Sequence, residues 1–441
     1  MSLPRYPEYK DSGLSWLGQV PSHWRVTKTK HVCSFSTGWT PPTGNSAAYE
    51  GSNLWANISD LGARTIADTA KRISDEAAVQ SGIELSPKGS LLFSFKLSIG
   101  QVSFAGADMF TNEAIATFRG SDLLALPFAY YAFPLFLVQN ASENIYGAKL
   151  LNQELIRGAA FALPSVEEQT AIAAFLDHET AKIDGLIAEQ EKLIALLAEK
   201  RQATISHAVT RGLNPAAPMQ DSGVAWLGEV PAHWGVTRLK YATNAIVDCP
   251  HETPAYDDTG SYRVIRTADV SEGRLRREGM YSVTQQEFMQ RIRRMPLEKD
   301  DIVYGREGER WGFAAQVPEN DIFCLGQRMM QFRAAAGMYP RFLMWQLNAQ
   351  STYRQGQIDT VGATSPHVNV GTIRNYVLTE PPPREQEEIS TFLDAETVKL
   401  DELDTEAELA ITLLKERRSA LIAAAVTGQI DVREATGKAD T

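Results

Sequence analysis

The sequence predicts an α+β protein in which two globular domains of mixed α and β structure are separated by two long helices that form an antiparallel coiled coil. Three observations support this fold class. Two motifs occur twice at nearly the same spacing, two segments carry helical heptads of apolar residues, and the regions between them hold short strand-like runs punctuated by glycine. The repeated motifs also predict a duplicated chain with internal pseudo-twofold organisation.

The first motif opens each half of the chain. Segment 11–24 reads DSGLSWLGQVPSHW and returns at 221–234 as DSGVAWLGEVPAHW, an offset of 210 residues. The second motif reads FLDHETAKID at 175–184 and returns at 392–401 as FLDAETVKLD, an offset of 217 residues. Matches of this length indicate a duplication. Between the motifs the halves diverge and share only faint echoes, such as 58–60 beside 267–269.

The second motif lies in a segment that has the pattern of a long helix. Ser165 and Glu168 predict a capping box at the start of the first copy, and Pro383 with an acidic first turn marks the start of the second. Apolar heptads follow, Gly212 and Gly428 are natural ends, and each helix covers about 40 residues or roughly 60 Å. Because each copy carries a complementary stripe, one intramolecular antiparallel coil is the economical arrangement. Two separate intermolecular coils are the alternative.

These motifs divide the chain into five segments. The regions between the motifs contain strand-like runs, and late in each region stand apolar helical stretches at 126–138 and 342–347, which together are typical of mixed α and β domains. The predicted segments are a first globular domain at 1–160, a first long helix at 161–212, a second globular domain at 213–380, a second long helix at 381–430 and a polar tail at 431–441.

The charge distribution separates the globular domains from the helices. The net charge of the whole chain is −11, which argues against a general binder of polyanions. Segment 161–212 holds 5 basic and 8 acidic residues, and segment 381–441 holds 7 and 14. The globular segments are nearly neutral, with 13 basic and 13 acidic residues in 1–160 and 18 and 19 in 213–380.

Cysteine usage and the first residues predict a cytoplasmic protein. The 3 cysteines are widely spaced, which suits a reducing compartment better than a disulfide framework. The first ten residues lack the apolar core of a secretory signal. The apolar run 123–138 is shorter than the roughly 20 residues of a membrane span and contains two prolines, so we expect a buried helix there.

With these motifs the sequence resembles the specificity subunits of Type I restriction-modification systems, which are built from two target recognition domains separated by two repeated helical regions. The resemblance covers nearly the whole chain. An aromatic residue in a Trp-Leu-Gly motif alone is more often core packing than function. The elements that carry the resemblance are Gly13, Trp16 and Trp24 with their copies Gly223, Trp226 and Trp234, the segments with Pro164, Glu168 and Gln169 and with Pro382, Glu385 and Gln386, and the two Phe-Leu-Asp helix starts.

The resemblance implies a function and a set of partners. Such subunits read a bipartite, asymmetric target in double-stranded DNA, with one half read by each domain and an unspecified gap set by the helices. The resemblance also implies two methylase subunits that carry S-adenosylmethionine and methylate adenine, and a restriction subunit that uses ATP and Mg²⁺. It implies no catalysis, no cofactor and no membrane contact for this chain itself.

Motifs for the partners' chemistry are missing from this sequence. An adenine methyltransferase of this type needs an aromatic residue after a Pro-Pro pair to hold a flipped base, and neither the pair at 41–42 nor the run at 381–383 has one. The segment around Gly437 and Lys438 lacks the rest of a phosphate-binding loop. Cys249 and His251 lack the further ligands of a zinc site. The methyl transfer therefore belongs to a partner.

A metal-dependent nuclease is the third functional hypothesis. Asp300, Asp301, Glu307 and Glu309 cluster around a strand-like run and could bind Mg²⁺. No lysine follows Glu307 or Glu309 at the spacing of nuclease motifs, so a solvated hairpin edge is the simpler interpretation.

The candidate DNA ligands are basic residues of the two globular domains. Segment 213–380 holds 16 arginines and 2 lysines, a bias that favours planar, bidentate contacts with base edges. Its candidates are Arg263, Arg266, Arg274, Arg276, Arg277, Arg291, Arg293, Arg294, Arg306 and Arg310. The candidates of the first domain are Lys28, Lys30, Arg64, Lys71, Arg72, Lys88 and Lys96. Pairing with surface carboxylates is the alternative role for each of them, because acidic residues are equally numerous.

The acidic helices repel DNA phosphates and are better placed against basic protein surfaces. The candidate methylase-docking residues are Asp177, Glu179, Asp394 and Glu396, with ordinary solvated helix faces as the alternative. Nearly neutral domains also predict weak DNA binding by the isolated chain and tighter binding once methylase subunits add basic surface. The second functional interpretation is a non-catalytic coiled-coil adaptor that binds two proteins without DNA.

Overall fold

The computed structural model describes residues 4–42, 44–143, 147, 149–308, 310–360 and 366–434. The chain forms two compact units, Met1–Glu189 with Ala410–Thr441 and Gln190–Leu409. Each unit combines one globular domain with a segment of each long helix. The predicted polar tail 431–441 lies outside the described residues from position 435 onward.

The first unit contains a mixed α and β domain. Its strands are β1 (Tyr9–Asp11), β2 (Gln19–Pro21), β3 (Arg25–Lys28), β4 (Phe35–Thr37), β5 (Asn53–Ala56), β6 (Thr65–Ile66), β7 (Lys71–Ile73), β8 (Leu91–Ser94), β9 (Val102–Ala105), β10 (Phe110–Thr111), β11 (Ile115–Phe118), β12 (Ser142–Glu143), β13 (Lys149–Leu150) and β14 (Ala160–Leu163). Its helices are α1 (Asp75–Ser81), α2 (Leu126–Gln139), α3 (Gln153–Gly158) and the first part of α4 (Val166–Arg211). The larger sheet has the order β4-β11-β8-β9-β6 and the smaller one β10-β5-β7, with two-stranded pairs β1-β2, β3-β14 and β12-β13.

The second unit contains the other globular domain. Its strands are β15 (Met219–Asp221), β16 (Glu229–Pro231), β17 (Gly235–Arg238), β18 (Thr243–Asp248), β19 (Tyr262–Ile265), β20 (Val270–Ser271), β21 (Arg274–Leu275), β22 (Ser282–Val283), β23 (Ile302–Gly305), β24 (Ala314–Gln316), β25 (Phe323–Leu325), β26 (Met329–Ala334) and β27 (Val377–Glu380). Its helices are α5 (Leu239–Ala242), α6 (Gln285–Arg291), α7 (Pro340–Leu347), α8 (Gln350–Ile358), α9 (Val370–Arg374) and the first part of α10 (Pro383–Val426). The sheets have the orders β18-β26-β23-β24 and β22-β19-β25, with pairs β15-β16, β17-β27 and β20-β21.

The two domains share one topology. The antiparallel order β4-β11-β8-β9 of the first domain returns in the second as β18-β26-β23-β24. The smaller sheets also match, because β5 pairs parallel with β10 and antiparallel with β7, as β19 does with β25 and β22. The predicted duplication therefore extends through the segments in which the sequence has diverged.

The faint echo between Ile58–Asp60 and Thr267–Asp269 is one short 3-10 turn that both domains contain. Asp60 accepts a hydrogen bond from the backbone N–H of Asn57 at 2.8 Å, and Asp269 accepts one from that of Arg266 at 2.9 Å. The carboxylate that closes the turn is thus common to both copies, whereas the side chain before the turn differs.

The apolar run near residue 130 is the buried helix α2, as predicted. It begins with Pro127 in its first turn, where a missing N–H costs nothing. Phe133 is fully buried and meets Phe118 of the larger sheet edge-on, with ring centroids 4.8 Å apart. Within the described residues, no helix combines the length and apolar character needed to cross a membrane.

The two long helices exceed the about 40 residues estimated for each, and both lie within the predicted segments 161–212 and 381–430. α4 has 46 residues and α10 has 44. At a rise of 1.5 Å per residue they extend over about 65–70 Å. In the first unit, early residues of α4 pack against late residues of α10, because Asp184 pairs with Arg418 at 2.9 Å and Leu176 shares a core with Val426.

In the second unit, late residues of α4 pack against early residues of α10. Arg201 binds Asp401 and the carbonyl oxygen of Thr397, while Val209 shares a core with Leu393. The predicted antiparallel pairing of the two helices within one chain is therefore confirmed in each unit.

Candidate nucleic-acid interface

In the first unit, the His-Trp pair of the repeated motif holds the start of α4. The buried Trp24 donates its Nε1 hydrogen to Glu168 at 3.0 Å, and His23 Nε2 lies 2.9 Å from the other carboxylate oxygen. Ser165 Oγ accepts from the backbone N–H of Glu168, but the carboxylate turns to the His-Trp pair. The predicted capping box is therefore wrong in its second half, because a buried indole N–H needs an acceptor. Gly428 after α10 has φ +74°, and a Cβ there would lie 3.1 Å from Trp24.

The second unit repeats this anchor. Trp234 donates its Nε1 hydrogen to Glu385, and His233 Nε2 lies 3.0 Å from the same carboxylate. Gly212 after α4 has φ +73°, and a Cβ there would lie 3.0 Å from the Trp234 ring. Trp24 and Trp234 thus each contact the start of one long helix and the end of the other within their own unit.

A buried glutamine follows each anchoring glutamate. Gln169 accepts from the backbone N–H of Ala125 at 2.8 Å, just before α2. Gln386 accepts from the backbone N–H of Tyr339 at 2.7 Å, just before α7. Because both bonds reach main-chain atoms, they place the domain on its helix whatever side chains the domain carries.

Asp177, a predicted docking residue, is bonded to its own domain. Arg64 pairs with it at 2.7 Å, and Tyr131 donates its hydroxyl hydrogen to it at 2.6 Å. The Arg64 guanidinium also lies 4.9 Å from the centroid of the Tyr130 ring. Burial raises the pKa of Tyr131, and the bond to Asp177 adds to this rise, so the phenol keeps its proton. Arg64, a predicted DNA ligand, thus joins the domain to α4.

Asp394 occupies the equivalent position on α10 and is also bonded to its domain. Arg341 donates to it at 2.8 Å and Trp345 Nε1 at 2.9 Å. The equivalent carboxylates therefore both bond a long helix to its domain, but the residues that donate to them differ between the units.

Glu179 and Glu396, the other predicted docking residues, are paired along their own helices. Lys182 lies 2.8 Å from Glu179, and Lys399 lies 2.5 Å from Glu396, each three residues further along. These exposed lysines partly neutralise the two glutamates. Docking of a methylase on the four acidic residues stays a prediction.

In the second unit, the domain also binds the coiled coil through a network of charges. Arg274 and Arg201 both bind Asp401, and Arg201 Nε lies 3.7 Å from Glu272. Burial raises the pKa of Glu272 and lowers the pKa of Arg201 and of Arg274. A cleft of about 460 Å³ lies beside this network, and Arg276 is on its wall. Arg274 therefore has a structural partner.

Arg291 and Arg306 lie inside the second domain. Arg291 pairs with Glu287 at 2.7 Å and donates to two backbone carbonyl oxygens, and its side chain is 3% exposed. Arg306 pairs with Asp248 at 3.1 Å and with Glu307 at 2.6 Å, and its side chain is 9% exposed. We no longer count these two arginines among the candidate DNA ligands, because a guanidinium that is bonded inside the fold cannot reach a base edge.

Two further candidates are partly neutralised at the surface. Arg266 donates to both oxygens of Asp269, at 2.9 and 2.7 Å, and lies 3.8 Å from the centroid of the Tyr281 ring. The hydrogen bond to Asp269 raises the pKa of Arg266. Arg277 pairs with Glu319. Both arginines must exchange or share these carboxylates if they contact DNA.

Three candidates have only uncharged partners. Arg263 donates to the hydroxyl of Ser282, whereas Arg294 and Arg310 donate to backbone carbonyl oxygens at 2.9 and 3.4 Å. Their charge is not cancelled by these contacts.

Arg276 and Arg293 are the least constrained candidates of the second domain. Both side chains are exposed, and neither has a hydrogen-bond or ion-pair partner within the described residues. A free guanidinium keeps its five donors for a planar acceptor such as guanine. These two arginines are therefore our first choice for base contacts.

The first domain offers lysines instead. Lys28, Lys30 and Lys88 are exposed, and their ammonium groups have no hydrogen-bond or ion-pair partner in the part of the chain that the structure describes. Lys71 lies 5.5 Å from the centroid of the Tyr49 ring and is otherwise exposed.

The remaining candidates of the first domain are Arg72 and Lys96. Arg72 pairs with Asp68 at 2.9 Å. Lys96 stands in the loop between β8 and β9, next to Leu97, which is 80% exposed with φ +43°. Neither the exposure of Leu97 nor its unusual backbone conformation can be predicted from the residue pattern.

Two of the proposed nuclease carboxylates are bonded to arginines, and a third, Asp300, accepts a hydrogen bond from Gln316 at 3.3 Å. Asp301 is buried and accepts from Arg333 at 2.8 Å, and Glu307 pairs with Arg306. Glu309 lies outside the described residues. Among the residues that are described, no group of three or more His, Cys, Asp and Glu side chains is arranged to hold a metal ion.

Comparison with known proteins agrees with this architecture. The family model for the Type I restriction modification DNA specificity domain matches residues 21–194 and 248–411. The chain is 25% identical over 191 residues to the Type I restriction enzyme MjaIX specificity subunit of Methanocaldococcus jannaschii. That match covers 42% of this chain and 43% of the curated relative, so it spans less than half of either protein.

Solved structures show the same fold. A chain from a study of complex assembly and conformational transition of the type I R-M system has a TM-score of 0.70 at 14% identity, covering 92% of this chain and 98% of that chain. The HsdS subunit from Thermoanaerobacter tengcongensis has a TM-score of 0.53 at 14% identity, covering 93% and 98%. At this identity the two likenesses show the fold alone.

Proposed function

The chain belongs to the Type I restriction-modification DNA specificity family, and we propose that it reads a bipartite, asymmetric target in double-stranded DNA, one half with each globular domain. The observation that carries this proposal is a shared topology with different side chains at equivalent places. Helices α1 and α6 have the same length and start after Ser74 and Thr284, yet their exposed first residues are Asp75 and Glu76 in α1 and Gln285 and Gln286 in α6. Two copies of one scaffold with different surfaces suit two different half-sites.

Base contacts in the second domain are assigned to Arg276 and Arg293. Their exposed, unpaired guanidinium groups can donate two parallel hydrogen bonds to the edge of a guanine in the major groove, which gives sequence discrimination. In the first domain, Lys88 and Lys96 are the corresponding candidates. Contacts of this kind specify the sequence, whereas contacts with phosphates fix the position.

The chemistry of the system belongs to partner subunits in this proposal. The chain is non-catalytic, positions two methylase subunits that carry S-adenosylmethionine for adenine N6 methylation, and positions a restriction subunit that uses ATP and Mg²⁺. The absence of a Pro-Pro-aromatic motif and of a phosphate-binding loop from the sequence supports this division of labour. The acidic surface of the long helices suits basic partner surfaces.

The two long helices are proposed to set the gap between the half-sites. Both helices run without interruption through residues of both units, α4 as Val166–Arg211 and α10 as Pro383–Val426. Seven residues inserted at facing positions of both helices keep the heptad pattern and add about 10 Å. Since base pairs are spaced about 3.4 Å apart along DNA, the unspecified gap is expected to grow by about three base pairs while both half-sites stay the same.

The test is a map of N6-methyladenine in cells that express the chain with its methylase partner, compared with cells that express the methylase alone. We expect a new bipartite motif. The double variant Arg276→Gln with Arg293→Gln should relax one half of that motif and leave the other half unchanged, because each lost base contact removes about 1–3 kcal/mol of discrimination. Lys299→Gln, an exposed cation of the same domain, is the matched control and should leave the motif unchanged.

The alternatives give different results in the same experiment. No new methylation by a complex shown to be assembled would contradict the proposal and favour a protein adaptor. Relaxation of both halves by the double variant would contradict the assignment of one half to each domain. DNA cleavage by the isolated chain that needs Mg²⁺ and is lost in Glu307→Gln would support the nuclease hypothesis instead.

A further inference from the structure

The first unit carries three basic residues that lie on neighbouring elements. Lys28 ends β3, Lys30 is in the 3-10 turn Thr29–His31 that follows, and Arg157 is in the last turn of α3. The turn packs against α3, and the backbone N–H of Thr29 donates to the carbonyl oxygen of Ala159 at 3.0 Å. All three basic side chains are exposed. We name Lys28, Lys30 and Arg157 the first basic patch.

The second unit contains the same arrangement. Arg238 ends β17, Lys240 is in α5 and Arg374 ends α9, and α5 packs against α9. Arg238 and Lys240 both donate to the side-chain oxygen of Asn375, at 3.2 and 3.0 Å, so their charged groups lie close together. The backbone N–H of residue 239 donates to the carbonyl oxygen of residue 376 at 2.8 Å, as in the first unit. We name Arg238, Lys240 and Arg374 the second basic patch.

The two patches keep their positive charge. None of their six cations forms an ion pair with a carboxylate of the described residues, whereas Arg64, Arg72, Arg266 and Arg277 all do. Glu154 stands on α3 beside Arg157 but forms no ion pair with the patch. Clustered cations without counter-charges repel each other, and an anion that binds between them relieves this repulsion.

The patches lie between the two repeated motifs, but their cations recur at the offsets of those motifs. Lys28 and Lys30 recur as Arg238 and Lys240 at the offset of the first motif, 210 residues, and Arg157 recurs as Arg374 at the offset of the second, 217 residues. A contact that both domains need, although they are proposed to read different sequences, must be independent of sequence. In DNA recognition, such contacts are made to phosphates.

We propose that the first and second basic patches are equivalent phosphate-binding sites, each holding the DNA backbone beside the half-site that its own domain reads. This inference rests on the proposed DNA-reading function and adds a division of roles to it. The patches supply affinity and orientation, whereas residues such as Arg276 and Arg293 supply sequence discrimination. It also explains how nearly neutral domains can meet a polyanion, since three cations without a carboxylate partner among the described residues lie on neighbouring elements in each domain.

The test compares double variants of the full chain in complex with its methylase partner. Lys28→Ala with Lys30→Ala removes two cations from the first patch, and Arg238→Ala with Lys240→Ala removes two from the second. Lys10→Ala with Lys299→Ala removes two exposed cations outside the patches and is the charge-matched control. Affinity is measured against salt concentration on DNA with the target and on DNA without it, and the methylated motif is mapped in parallel.

Each patch variant is expected to make the negative slope of log K against log salt shallower by about two, which is about one for each lost phosphate contact. The loss in affinity should be the same factor on target and non-target DNA, the methylated motif should be unchanged, and Lys28→Arg with Lys30→Arg should restore binding. The control should keep the wild-type slope.

Three outcomes would overturn the inference. The first is a salt-dependence slope of the patch variants equal to that of the control. The second is a change in the methylated motif. The third is loss of assembly with the methylase, because the patches would then be protein-docking surfaces. The wild-type complex separates this failure from failure of the proposed function, because a wild-type complex without preference for any target contradicts the function itself.

Discussion

An interhelical ion pair occurs in both units, but the surroundings of the two pairs differ. In the first unit, Asp184 and Arg418 have side chains that are 53% and 34% exposed. In the second unit, the equivalent Asp401 and Arg201 are 25% and 13% exposed, because Glu272 and Arg274 of the globular domain cover them. The equivalent residues therefore form an exposed ion pair in the first unit and part of a partly buried network in the second.

The anchors of the domains show the opposite behaviour. Trp24 and Trp234 donate to Glu168 and Glu385 in the same way, and each is packed against a glycine at the end of a long helix. The comparison teaches that the duplicated chain keeps the contacts that attach a domain to its helices and varies the charges around them. Four predictions test this division, from the largest expected effect to the smallest.

Trp24→Ala and Trp234→Ala should each lower the free energy of unfolding by about 3–5 kcal/mol, because a large buried aromatic side chain is lost. Trp226→Ala is the control, since its side chain is 44% exposed and its loss should cost less than about 1 kcal/mol. Urea unfolding followed by circular dichroism measures the effect. A unit that tolerates loss of its own tryptophan would show that the anchor is not common to both copies.

Arg291→Ala should destabilise the protein by about 3 kcal/mol, because it leaves Glu287 and the carbonyl groups of Glu252 and Leu325 without this buried partner. Arg293→Ala, two residues away and exposed, should leave the free energy of unfolding nearly unchanged and should weaken DNA binding by the methylase complex. Equal destabilisation by both variants in urea unfolding would contradict the distinction between structural and free arginines.

Asp401→Asn should cost about 1–3 kcal/mol, because Arg201 and Arg274 lose their shared carboxylate in a partly buried place. Asp184→Asn removes the equivalent, exposed carboxylate and should cost less than about 1 kcal/mol. Thermal unfolding of both variants checks the ranking. Equal costs would mean that the domain contributes nothing to the pair in the second unit.

Glu272→Gln tests the same network through its pH dependence. Burial raises the pKa of Glu272 in the folded protein. Proton binding therefore favours the folded state, so the stabilisation is present at low pH and is lost as the pH rises through the raised value. The free energy of unfolding of the wild type, measured relative to Glu272→Gln, should fall as the pH rises above the ordinary carboxyl pKa of 4.5. Glu278→Gln, at an exposed position, should show no such trend.

The sequence was sufficient to predict the frame. The two motifs predicted the duplication and both long helices, because motif spacing and heptads depend only on local order along the chain. It did not predict that Glu168 turns away from its capping position to Trp24, since the competing donor comes from a residue 144 positions away. Of the sheet topology that the divergent segments share it gave only faint echoes, such as 58–60 beside 267–269, because strand pairing tolerates wide changes of side chain.

The candidate DNA ligands show the limit most clearly. Composition indicated arginines in the second domain, but Arg291 is buried and paired, whereas Arg293, two positions further on, is exposed. Whether a guanidinium is free depends on carboxylates and carbonyl groups that distant segments bring to it, as Asp401 does for Arg274. No property of the neighbouring residues distinguishes the two cases.

By itself, the amino-acid sequence determined the duplication, the two helices and the family, because all of these are present as repeated local patterns. Only the tertiary structure decided which cations are paired with carboxylates and which are unpaired. It also brought Lys28 and Lys30 beside Arg157. The physical reason is that the net charge of a surface region depends on which cations and carboxylates folding brings together. Long-range contacts decide which of these groups meet.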